Sequence, residues 1–154
     1  MSEEDRTKGL VDPEKLARWM DEKGLPGAGS PVEMKFITGG ASNELFEIRR
    51  GDERMALRRP PRKVPKGRNE TMLREYRVLE ALKDTDVPHS RVLGACDDPS
   101  LFGACFYVME FVDGYNLRRI FQKAVEAGYC IPLEIACYIM TQVCEGLALS
   151  LIHI

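Results

Sequence analysis

The sharpest local feature of the 154-residue sequence is Thr38-Gly39-Gly40-Ala41-Ser42-Asn43, set between two runs of β-type alternation. Glycines there let backbone N–H groups approach an anion closely, and the Ser42 hydroxyl adds a donor, so the segment can cradle a phosphate. The competing reading is a plain hairpin turn, because paired glycines also serve tight reversals. Neither GxxxxGK[ST] nor GxGxxG is present. No Ser/His/Asp or Cys/His nucleophile arrangement is supported, and the two histidines lack ligand spacing. The five cysteines contain no CxxC pair. They read as thiols of a reducing compartment, with Cys130, Cys137 and Cys144 recurring at helical spacing. The acidic pairs Asp97-Asp98 and Glu3-Glu4 fall in a turn and a tail and read as solvated. No catalytic residue and no metal ligand is therefore assigned.

Several elements must position that loop. Residues 1–11 read as a flexible tail. Asp12-Pro13-Glu14 is a helix start, with Asp as cap, Pro in the first turn and Glu against the dipole. Leu16, Trp19 and Met20 form its apolar stripe and Gly24 closes it. Three short strands are expected over Val32–Thr38, Glu44–Arg50 and Arg54–Arg59. The close breaks at Gly39-Gly40 and Gly51-Asp52 predict an antiparallel meander. Asn69 is expected to cap a helix running to about Asp84, with Leu73, Tyr76, Leu79 and Leu82 at helical spacing. Two more strands, Arg91–Cys96 and Cys105–Val112, flank the Asp97-Asp98-Pro99 turn. From Asn116 onward the pattern is helical, first to about Ala127 and then from Leu133 to the end.

Lys plus Arg number 22 and Asp plus Glu 24, so the net charge of −2 gives no global drive toward nucleic acid or an anionic membrane. The basic run Arg58–Arg68 is laced with proline and has no interleaved aromatics, which reads as an exposed loop. The acidic, polar N-terminus lacks the form of a secretory signal. The most apolar stretch, Ile131–Ile154, carries Glu134, Gln142 and Glu145, each costly in lipid. A cytoplasmic location is the expectation. The last helix is apolar nearly all round, which suits the inside of a larger body.

The order of these features resembles the small lobe of the kinase fold: a glycine loop, a cationic third strand at Arg58, a helical Glu75, then a linker strand. More closely, residues from about 34 to 114 resemble the aminoglycoside phosphotransferase family, including its branch found beside acyl-CoA dehydrogenase domains. The segments FITGGASNELFEI, MALRRPP, LREYRVLEAL, VPHSRVLGACDDP and GACFYVMEFVDG carry the resemblance. It implies an α+β, protein-kinase-like N-lobe over residues 12–112, with a five-stranded antiparallel sheet and a helix on one face. Residues 113–154 would be the hinge and the first helices of a truncated C-lobe.

The resemblance also implies an ATP-dependent phosphotransferase acting on a small-molecule hydroxyl. Gly39, Gly40, Ala41, Ser42 and Asn43 would cover the phosphates. Arg58 would take the place of the usual Lys on the α- and β-phosphates, with Glu75 holding it. The stretch from Met109, with Glu110 and Val112, would offer backbone groups to adenine. The family takes its proton-accepting Asp and its Mg²⁺ ligands from an HGDxxxxN or HRDxxxxN loop and a later Asp motif. Neither occurs here, so those ligands are expected in the missing C-terminal lobe, a partner of this one. From Glu110 onward the chain also resembles bacterial Ser/Thr protein kinases. A fragment of such a kinase, or a non-catalytic nucleotide-binding module, is the alternative.

Overall fold

A computed structural model describes residues 9–37, 43–115 and 117–152. It divides the chain into two compact units. One runs to Asp84 and resumes over His89–Phe111, and the other joins Thr85–Pro88 to the chain from Val112.

In the first unit, helix α1 (Pro13–Glu22) starts as its residues dictate. The Asp12 carboxylate accepts from the backbone N–H groups of Glu14 and Lys15 at 3.0 and 3.1 Å, and Pro13 occupies the first turn. Five strands follow: β1 (Glu33–Ile37), β2 (Glu44–Arg50), β3 (Glu53–Arg59), β4 (Val92–Cys96) and β5 (Phe106–Glu110). They form one antiparallel sheet in the order β1-β2-β3-β5-β4, as expected from the short turns. Helix α2 (Arg68–Ala81) lies between β3 and β4 in sequence.

Each face of the sheet carries a helix. On the outer face Leu16, Trp19 and Met20 of α1 pack on Ile48, Leu57, Phe106 and Val108, with Trp19 edge-on to Phe106 at 4.8 Å. Fully burying side chains of this size stabilises by roughly 1.5–3 kcal/mol each, so α1 is part of the core. On the inner face Met72, Tyr76 and Leu79 of α2 pack on Val92, Tyr107 and Met109.

Two details of α2 depart from expectation. Its cap is Gly67, at φ +77°, and Asn69 lies inside the first turn. The Asn69 side-chain oxygen instead accepts from the backbone N–H of Cys105 at 3.1 Å, a partner 36 residues away. The helix also ends at Ala81, and Met72 is its fully buried residue while Leu73 is half-buried.

Two arginines hold the segment around α1 to the outer face. Arg50, with no exposed side-chain surface, donates to the Asp21 carboxylate at 2.6 Å and to the Ser30 carbonyl at 3.0 Å. Gly27, at φ +80°, passes so close that a Cβ there would sit 2.6 Å from the Arg50 carbonyl oxygen. Arg59 donates to the carbonyls of Leu10 and Pro60 and pairs in register with Glu44. Burial pulls its guanidinium below the ordinary value, and Glu44 opposes that shift.

The second unit contains α3 (Leu117–Glu126) and α4 (Leu133–Ile152). Leu133, Ile135, Tyr138 and Met140 of α4 are exposed. No helix among the described residues is long and apolar enough to cross a membrane.

Candidate functional site

Strand alternation and register stack the inner-face side chains in rows. Ile37, Leu45, Arg58 and Tyr107 form the row beside the loop that joins β1 to β2. Lys35, Glu47, Ala56 and Met109 form the next, and Glu33, Arg49 and Arg54 the third. Phe111, two residues beyond Met109, continues that face past the last β3–β5 pair, Met55↔Glu110.

Arg58 and Glu75 meet across the gap between β3 and α2, with Nη2 3.3 Å from Oε2. Their side chains are 38% and 32% exposed, so the pair is solvent-screened and contributes under about 1 kcal/mol. The contact is also poorly aligned, since neither Arg58 Nε nor Glu75 Oε2 has a hydrogen-bond partner. Both residues line a cavity of about 300 Å³, with Arg74, Val78, Leu79 and Tyr107. Burial pushes the Tyr107 phenol up, with Arg58 pulling against it and Glu75 adding to the rise.

Asn43, at the start of β2, has both amide atoms buried without a partner. An unpaired buried polar group costs roughly 1–3 kcal/mol. Gly39, Gly40, Ala41 and Ser42 lie outside the described residues.

A charge network joins the second row to the third. Glu47, with 7% of its side chain exposed, accepts from Arg54 Nε at 2.7 Å and Arg49 Nε at 2.9 Å on the same oxygen. The Arg54 bond first, then that of Arg49, holds its carboxyl below the ordinary value against the effect of burial. The Arg54 guanidinium stacks on the Phe111 ring, 3.9 Å from its centroid. Glu110 is exposed, its carboxylate 3.8 Å from Arg91. Val112, in the second unit, is exposed. Among the described residues no group of three or more His, Cys, Asp and Glu side chains could hold a metal ion.

Residues 33–130 match the phosphotransferase enzyme family. The chain belongs to that family. A solved structure of a candidate aminoglycoside phosphotransferase from Ralstonia eutropha JMP134 is 34% identical and superimposes with a TM-score of 0.58, covering 69% of this chain and 29% of that one. Mouse acyl-CoA dehydrogenase family member 10 is 36% identical over 94 residues, 60% of this chain and 9% of the relative. Mouse family member 11 is 31% identical over 128 residues, 80% of this chain and 16% of the relative. This phosphotransferase-family chain thus spans a small part of the proteins it matches. The family expected from the motifs is the family found, and its α+β fold with a five-stranded antiparallel sheet is the fold observed.

Sequence reasoning named Asn43, Arg58, Glu75, Glu110 and Val112. It missed the Glu47–Arg54–Phe111 contacts and the cavity-lining Arg74 and Tyr107. The parity of positions 54, 56 and 58 on β3 was the available signal for the inner face, but partners across the sheet follow only from register.

Proposed function

We propose that this phosphotransferase-family chain holds ATP on the inner face of its sheet, in a protein that transfers the terminal phosphoryl group to a small-molecule hydroxyl. The observation that carries the reading is the Arg58–Glu75 pair with its unpartnered atoms, together with the equally unpartnered Asn43 amide at the start of β2. A guanidinium with an idle N–H and a buried amide are donors suited to phosphate oxygens. The spacing suits a nucleotide as well. Arg58 stands three residues along β3 from Met55, the partner of Glu110, which is about 10 Å at the rise of an antiparallel strand. A base at the Glu110 end would lie over Ala56 and Met109, and the phosphates would reach Arg58, Asn43 and the glycine segment.

ATP would supply the phosphoryl group. The acceptor oxygen forms the new P–O bond, ADP leaves, and the hydroxyl proton passes to a base. The described residues do not fit a Mg²⁺ site. We assign the Mg²⁺ ligands and the base to residues beyond these 154, in a protein of the cytoplasm.

Calorimetric titration of the full-length protein with ATP tests the reading, with ADP release over a panel of hydroxylated acceptors as the second measurement. Arg58→Ala is expected to weaken ATP binding about tenfold or more, and Asn43→Ala to weaken it by less without loss of stability. Unchanged ATP affinity in both variants would remove this site from the function.

A further inference from the structure

We propose that Arg54 is a positioning residue for recognition of the nucleotide base, acting through Phe111. The inference rests on the nucleotide reading above and goes beyond it, to how the base is read. The β3–β5 register ends at Met55↔Glu110, and the Glu110 N–H is bonded to the Arg91 carbonyl at 2.8 Å. Phe111 follows directly, where the pairing no longer fixes the chain. What fixes it is its ring, stacked under Arg54 at 3.9 Å. Arg54 would be the next cross-strand partner, and its guanidinium is in turn fixed by the 2.7 Å bond to buried Glu47.

The chain of contacts Glu47–Arg54–Phe111 therefore determines the direction in which the Glu110 carbonyl points, one residue away. A carbonyl is the group that accepts from the exocyclic amine of adenine, whereas guanine presents an oxygen at the corresponding position and is repelled. A carbonyl held in one direction discriminates between them, and one free to turn does not. Arg54 touches neither base nor phosphate in this scheme.

The test compares the full-length wild type with Arg54→Ala, Arg54→Lys and Phe111→Ala by titration with ATP, GTP and tripolyphosphate. Arg54→Ala and Phe111→Ala are expected to weaken ATP binding about threefold, as loss of a partly exposed cation–π contact would. They are also expected to reduce the ATP-over-GTP preference while leaving tripolyphosphate affinity unchanged. The double variant should be no worse than either single one, because both break the same link. Arg54→Lys keeps the charge on Glu47 and loses the planar stack, so it should fall between wild type and Arg54→Ala. It also provides a comparison should the alanine variants fail to fold. Wild type that binds neither ATP nor tripolyphosphate overturns the nucleotide reading and this inference with it. Wild type that prefers ATP, with variants that keep the preference or lose tripolyphosphate equally, overturns the inference alone.

Discussion

Arg58 and Arg59 are neighbours on β3, yet they face opposite sides of the sheet and sit in opposite circumstances. Arg59 is 2% exposed and spends its donors on the carbonyls of Leu10 and Pro60. Arg50, at the far end of the same face, bonds Asp21 and Ser30, and its one unpartnered nitrogen, Nη1, lies in a side chain with no exposed surface. These partners, Leu10, Asp21 and Ser30, lie before residue 33, outside the segment that matches the family. Arg58, on the inner face, is half exposed, loosely paired and keeps an idle N–H. A guanidinium sealed against protein acceptors holds the fold together, whereas one that is half exposed and keeps a spare donor can receive an anion. Residue type does not separate the two roles. The side of the sheet does.

The largest expected effect lies on the outer face. Asp21→Ala strands a fully buried guanidinium that keeps only its bond to Ser30, and is expected to destabilise by about 3 kcal/mol. Arg50→Met removes the charge as well and is expected to cost less, because Asp21 is half exposed and can turn to water. Urea midpoints for the two variants check the order, and Arg50→Met proving the more damaging would break it.

The neighbouring pair sharpens the contrast. Arg59→Met is expected to lower stability by about 2 kcal/mol through the carbonyls it abandons, against under about 1 kcal/mol for Arg58→Met. Phosphate affinity should shift the other way, falling for Arg58→Met and holding for Arg59→Met. Equal stability losses in the two would mean that the faces do not differ as described.

The smallest effect is on pH. The folded state holds the Glu47 carboxyl below its ordinary value of 4.5, so the unfolded chain binds its proton first. The stabilisation is therefore fully present above the unfolded value and is lost as pH falls through the folded one. Urea midpoints of wild type and Glu47→Gln, followed from about pH 6 to about pH 3, should converge as the medium is acidified. A constant gap would show that the Arg49 and Arg54 bonds do not favour the charged form.

The elements themselves were largely legible, because their causes are local. Asp12-Pro13-Glu14 caps α1 through atoms two and three residues away, and Gly51-Asp52 turns β2 into β3. What was hidden depends on distant partners. Asn69 has the right chemistry for a cap, but Cys105 claims its oxygen from 36 residues on. Arg50 ends the run Glu44–Arg50, and nothing in that run marks it as a buried group; Asp21 and Ser30, which fold over it, do. Arg58 and Glu75 were found through serial order and family resemblance rather than spacing, and the fold brings them together as that order implied. The Glu47–Arg54–Phe111 link needed the register of three strands.

The Asn69–Cys105 bond has a mechanical consequence. It rivets the first turn of α2 to the start of β5, so any tilt of the helix pivots about that end. Glu75 stands six residues along the lever, about 9 Å from the rivet at the helical rise, and a 10° swing would carry it by about 1.6 Å. That travel is enough to make or break its contact with Arg58. Solvent exchange of the buried Cys105 amide requires that its bond to Asn69 open, and is thus a gauge of whether the rivet is closed.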